Sequence, residues 1–158
     1  ITWMQETSLH TWLAENPSWF VYPLTLALHS LGMGIIVGMN VAISLRILGA
    51  VPALPLAPLA RFFPIVWLGL TVNALSGVGL TFTDPEKLRN WILWIKFSCL
   101  ALALVTFRLL RAEVFRNPDL DKGPLSLRGK VLAGASILFW AGTIWGGRFS
   151  AYPELFGS

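Results

Sequence analysis

Apolar residues in this chain come in four long runs, separated by breaks that are polar or rich in proline. The longest run, Trp19 to Leu48, reads WFVYPLTLALHSLGMGIIVGMNVAISLRIL, and only His29 and Arg46 in it can carry charge near neutral pH. A membrane helix needs about 20 apolar residues, so the pattern predicts a transmembrane helix over 19–48. Further runs predict helices over 64–83, 91–110 and 131–147. The first break, GAVPALPLAPLARFF, carries three prolines and predicts an extended or broken connector resting on the bundle or in the interface. The second, Thr83-Asp84-Pro85-Glu86, reads as a turn capping the third helix. The third, Arg111 to Lys130, is polar and basic, with Pro118, Gly123, Pro124 and Gly129.

Small residues recur at intervals of four within the predicted spans. Ser30, Gly34 and Gly38 form such a stripe in the first span, suited to close helix contact, with His29, Met33, Ile36 and Asn40 on an adjacent face. Gly69, Asn73 and Gly77 repeat the spacing in the second. Gly134, Gly142 and Gly146 line one side of the fourth. Ahead of the first span, Leu9, Trp12 and Leu13 share a helical face, with Met4 at its edge. That predicts a short helix lying in the membrane interface. Asn16-Pro17 reads as the cap and first helical position of the first span, and residues 1–18 lack the basic and apolar regions of a signal peptide. The expected fold is all-α: a single transmembrane domain over 1–158, an integral membrane four-helix bundle with an N-terminal interfacial helix.

Composition agrees with this picture. The chain has 158 residues, 55% hydrophobic and 13% charged, with eight Trp. Its cations cluster in breaks between runs, where they set membrane orientation and need not signal nucleic acid. Loops one and three with their flanks carry eight Lys and Arg, from Arg46 to Lys130, against Lys87, Arg89 and Arg148 on the other side. The positive-inside rule then places both termini in the periplasm of a bacterial inner membrane, with Trp19, Trp91 and Trp145 forming an aromatic belt at the outer interface. Cys99 stands alone in an apolar run and reads as a small core residue. There is no disulfide framework, zinc spacing, phosphate loop or dinucleotide fingerprint.

The candidate chemistry centres on His29, roughly 7 Å from the midpoint of its span at 1.5 Å per residue. An imidazole at that depth is costly unless it is paired, ligated or facing a cavity. Three readings stay open: a neutral ring bonded to a neighbouring helix, a metal or haem ligand, and a proton relay. Lys96 in the third span lies at matching depth, either snorkelling to the nearer surface or meeting an anion, and Arg148 closes the fourth span on the same side. An imidazole below two cations suits a b-type haem standing along the membrane normal. His29 would bind its iron, and Lys96 and Arg148 would neutralise its propionates. Trp94 and Trp140 are candidate linings. Asn73 reads as an amide that joins helices and is a further candidate around the cofactor. His10, the second histidine, does not reach the same depth.

The spacing of His29, Gly32, Gly38, Leu45-Arg46-Ile47-Leu48-Gly49, Pro64, Gly69, Gly77 and Lys96 resembles a family of small four-helix bacterial inner-membrane proteins of unknown function. That family is distantly similar to copper-resistance D-type and b-type cytochrome membrane proteins. The resemblance covers about Tyr22 to Ala103. It implies an α-helical inner-membrane protein with His29, Arg46 and Lys96 as signature positions, and no established activity. The expectation is therefore a haem b protein serving electron transfer or sensing in a homo-oligomer or larger membrane complex, without enzymatic activity of its own. The alternative is a structural or transport component without cofactor. Copper handling is a third reading, thinly supplied with soft ligands by three Met and one Cys.

Overall fold

A computed structural model describes residues 2–14, 20–116, 126–150 and 152. The Asn16-Pro17 cap, Trp19, the loop residues Pro118, Lys122, Gly123 and Pro124, and most of the tail after Phe149 lie outside the described residues. Among those described, the secondary structure is helical throughout, with no strand.

Two short helices, α1 (Thr2–Gln5) and α2 (Ser8–Ala14), precede the first long one, α3 (Val21–Leu48). Pro23 falls in the first turn of α3, where its missing N–H costs little. The helix stops at Gly49, whose φ of 86° is left-handed. Gly49 N–H bonds Arg46 O and Ala50 N–H bonds Leu45 O, the paired bonds that close a helix on a glycine. The proline-rich connector then folds back on the bundle. It forms α4 (Leu56–Leu59) and a 3-10 turn (Ala60–Phe62), with Leu56 fully buried and Arg46 Nε donating to Leu54 O at 2.6 Å. It runs straight into α5 (Phe63–Thr83), which carries Pro64 in its first turn.

A second 3-10 turn (Pro85–Arg89) comes next, and the cap of α6 (Trp91–Val114) is Asn90, not the Thr83–Glu86 turn. Asn90 Oδ1 accepts from Ile92 N–H at 2.9 Å. Ser126 caps α7 (Leu127–Phe149) by accepting from Gly129 N–H at 3.0 Å. Both α6 and α7 outrun the apolar stretches that predicted them. Helix ends follow caps and backbone bonding, while hydropathy marks only the part that avoids water. At their joined ends, Glu113 accepts from Ser126 Oγ and pairs with Arg128.

Three helical stretches, Val21–Leu48, Leu56–Thr83 and Trp91–Val114, are long and apolar enough to cross a membrane. Their outer surfaces carry large apolar side chains such as Leu31, Leu68, Leu75 and Val105. This is the make-up of a membrane protein. α7 is 23 residues long, but its glycines, two tryptophans and terminal charges dilute its apolar character.

α3 packs against α5 on one side and α7 on the other, and α7 packs against α6. α5 and α6, although consecutive, keep their backbones apart and meet through the edge-to-face rings of Phe63 and Phe107. The apolar core gathers toward one end, around Ile43, Ile47, Leu56, Phe63, Phe107 and Leu110. Above it Asn40, only 2% exposed, accepts from Ser136 Oγ at 3.2 Å and ties α3 to α7.

The closest backbone approach joins α3 to α5. A methyl group built on Gly32 would lie 2.7 Å from Gly69 O and 3.0 Å from Asn73 N. The stripe of Ser30, Gly34 and Gly38 does not serve this contact. Gly34 and Gly38 face open space within 4 Å, and exposed Ser30 bonds its own helix at Leu26 O. The contact face lies two residues round the helix, because His29 and Asn73 turn it there. The stripe on α5 does face its neighbour: Gly69 meets Ile35, and Gly77 meets His29.

The N-terminal segment forms two short helices that contact α5. Leu9 and Trp12 are exposed, while Met4 and Leu13 are buried and Leu13 approaches Gly79 of α5. His10 Nδ1 donates to Phe82 O at 2.6 Å. Of the predicted apolar face, Leu13 and the edge residue Met4 are the ones buried where the segment docks on the end of α5.

Gly32→Ala should cost about 1–3 kcal/mol, the usual penalty of overpacking, read by thermal unfolding in detergent. Gly34→Ala should stay within about 0.5 kcal/mol of wild type.

Candidate functional site

His29 projects from α3 toward α5. Its Nδ1 lies 3.0 Å from the carbonyl of Asn73 and 3.2 Å from Ser76 Oγ. A carbonyl can only accept, so Nδ1 carries the proton and the neutral ring keeps its lone pair on Nε2. Among the described residues Nε2 has no hydrogen-bond partner. The carbonyl of Asn73 is available because Ser76 Oγ, the group that crowds it, also satisfies itself on Val72 O at 2.6 Å. Asn73 repeats the link in the other direction: its Nδ2 donates to the carbonyl of His29 at 2.9 Å. Each residue thus bonds the other's backbone, and α3 and α5 are locked in register.

Glycines make room for this pair. A methyl group on Gly77 would sit 3.1 Å from His29 Cε1, so a side chain there would require the ring to shift by a few tenths of an ångström. Asn73 and Ser76 are buried and His29 is half-buried. Asn73, read from the sequence as both a helix-joining amide and a residue around the cofactor, holds and aims the imidazole.

Lys96 comes from α6 and lies along α7. Its Cβ is 3.0 Å from a methyl built on Gly146, and its Nζ is 3.6 Å from one built on Gly147. The two glycines form a trough for its stem. The ammonium makes no hydrogen bond or ion pair with the described residues. One turn deeper, Cys99 Sγ would be 2.8 Å from a methyl on Gly142. Gly142 thus leaves the room that Cys99 fills where α6 packs on α7. Arg148 lies just past the glycine trough, is exposed, and stacks its guanidinium 5.2 Å from the ring of Tyr152. Lys96 and Arg148 share one end of the bundle.

Of the candidate linings, Trp140 is 1% exposed with its indole N–H unpartnered. Trp94 points outward, donating to Leu88 O at 3.0 Å. The described residues contain no group of three or more His, Cys, Asp or Glu placed to hold a metal ion. Sequence reasoning missed the buried Asn40–Ser136 bond, because an amide and a hydroxyl 96 positions apart carry no local signature. No protein family, curated protein or solved structure matches this chain.

Asn73→Ala removes the amide from both helices' point of registry. It should lower stability by about 1 kcal/mol, the scale of an interhelical hydrogen bond in a membrane, in a denaturant titration of the detergent-solubilised protein. Ser136→Ala, which leaves His29 untouched, should cost a similar amount.

Proposed function

We propose that this chain is a four-helix inner-membrane protein that binds haem b through His29, serving electron transfer or sensing within a membrane complex, with no catalysis of its own. The observation that carries the reading is the orientation of His29. Its Nδ1–H is held by a backbone carbonyl, which fixes the tautomer and leaves the Nε2 lone pair available for ligation. Ligating histidines are held in this way, by a second bond that sets the ring and raises its basicity.

The residues present fit a haem. His29 Nε2 would take the iron, and Lys96 and Arg148, at one end of the bundle, would meet the propionates. Asn73 and Ser76 would orient the ring without touching the cofactor. When bound, haem supplies one-electron or gas-binding chemistry. The protein's own part is to keep the imidazole neutral and aimed, and to hold an ammonium where an anion can neutralise it. The apolar core gathers at the opposite end, while His29 Nε2 and Lys96 Nζ keep no hydrogen-bond partner among the described residues, which supports a polar ligand at their end.

A second reading has its own observation. The reciprocal His29–Asn73 bonds join α3 to α5 with or without a ligand. They would serve equally in a structural or transport subunit lacking a cofactor.

The membrane reading extends to α7. Its stretch Val131–Gly147 holds no charged residue, and it packs on both α3 and α6, so it crosses with them. Four crossings and the cation bias would support termini in the periplasm, with exposed Trp91 and Trp145 at the outer interface. The unpartnered Gly34 and Gly38 face supports assembly with a second copy or another membrane subunit.

Two measurements test these proposals. Wild type purified from haem-replete cells should give a pyridine haemochrome spectrum that His29→Ala lacks. Lys96→Ala should weaken haem retention or shift its potential while keeping the Soret band. Wild type without haem, or His29→Ala at full stoichiometry, would leave the cofactor-free reading standing. For topology, a membrane-impermeant thiol probe should fail to label Ser126→Cys from the periplasmic side, in a Cys99→Ala background.

A further inference from the structure

The gap between α5 and α6 is not closed by the rings of Phe63 and Phe107. A cleft of about 380 Å³ opens there, toward the C-terminal turns of α6, and its walls include Trp67, Arg108, Arg111 and Arg116. A second space of about 180 Å³ shares Trp67, Phe107 and Arg108 with it and continues between Val66, Leu70 and Leu104. The result is one groove with a cationic mouth and an apolar depth.

No carboxylate among the described residues neutralises the mouth. Arg108, Arg111 and Arg116 form no ion pair among the described residues; Arg111 instead stacks its guanidinium 4.6 Å over the ring of Phe63. Glu113, the carboxylate on the same stretch of α6, is turned away to Ser126 and Arg128. On a helix, positions 108 and 111 share a face, and here that face looks into the groove. Three guanidiniums above an apolar slot complement one chemical class: an amphiphile with an anionic phosphodiester head and hydrocarbon tails.

We infer that the cleft between α5 and α6 holds an anionic phospholipid, its phosphate among Arg108, Arg111 and Arg116 and one acyl chain along Trp67 toward Leu70 and Leu104. The inference rests on reading these helices as membrane spans and is independent of the haem proposal. It gives the arginines of α6 a role beyond setting orientation: they fasten a lipid where two consecutive helices fail to meet.

The test uses the full chain in mild detergent, titrated with phosphatidylglycerol and with phosphatidylcholine of the same acyl chains, and read by native mass spectrometry. Phosphatidylglycerol should be retained about tenfold better. Arg108→Gln/Arg111→Gln, both at exposed positions, should reduce that ratio to near one. Lys87→Gln/Arg89→Gln at the opposite end should leave it unchanged. Inorganic phosphate at equal concentration should not displace the lipid, and phosphatidylglycerol with brominated acyl chains should quench wild type more than Trp67→Phe. Equal retention of the two lipids, a double arginine variant that keeps the preference, an equal loss on changing Lys87 and Arg89, displacement by phosphate, or unchanged quenching would each overturn the inference. Extraction of membranes with alkaline carbonate separates the two levels. Release of the chain would defeat the membrane reading and the lipid site with it, whereas retention without lipid preference defeats the site alone.

Discussion

The backbones of α3 and α5 touch at Gly32 and Gly69, and much of the bundle depends on that contact. A methyl on Gly32 would stand 2.7 Å from Gly69 O, well inside van der Waals distance. Only at this separation do the side chains of His29 and Asn73 reach each other's carbonyls, at 3.0 and 2.9 Å. In water such bonds would compete with solvent. In hydrocarbon no solvent is available, and a polar group left unpaired costs several kcal/mol. The glycines therefore set more than packing: they bring an imidazole and an amide within bonding range and so fix the register of two helices.

The bundle divides its length between two kinds of interior. One end is filled by branched aliphatic and aromatic side chains, with Ile43, Ile47, Leu56 and Leu110 almost wholly buried. The other is built from small and polar residues, where His29 sits against Gly77 and Lys96 lies along Gly146 and Gly147. Between them, Asn40 and Ser136 bond across α3 and α7. The second end has polar atoms that the protein only half satisfies, since His29 Nε2 and Lys96 Nζ find no hydrogen-bond partner among the described residues. A polar group placed at that end can bind without displacing the core that holds the helices together.

The consecutive pair α5 and α6 shows how connectivity and packing part company. A short 3-10 turn, braced by Asp84–Lys87 and Glu86–Arg89 ion pairs, joins them. Yet α3 and α7 occupy the middle of the bundle, and α5 and α6 flank them. Side chains of Phe63, Phe107 and Phe115 bridge part of the gap, and the rest remains open as a groove under the arginines of α6.

Hydropathy alone determined the helical class, the positions of the long helices and their apolar character, because each depends only on residues near in sequence and on their aversion to water or liking for it. It also exposed His29 and Lys96, since a titratable group inside an apolar run is visible without any structure. Caps and contact faces were not legible in this way. Asn90, not the Thr83–Glu86 turn, starts α6; of the apolar face read in the N-terminal segment, Leu13 and the edge residue Met4 are buried while Leu9 and Trp12 are exposed. The glycine stripe of α5 met α3 as its spacing suggested, but the equally regular stripe of α3 faced outward and Gly32 made the contact instead. Periodicity tells which residues share a face of a helix. Which face is used depends on partners distant in sequence, here the carbonyls and amide of α5, and only the tertiary structure brings those together.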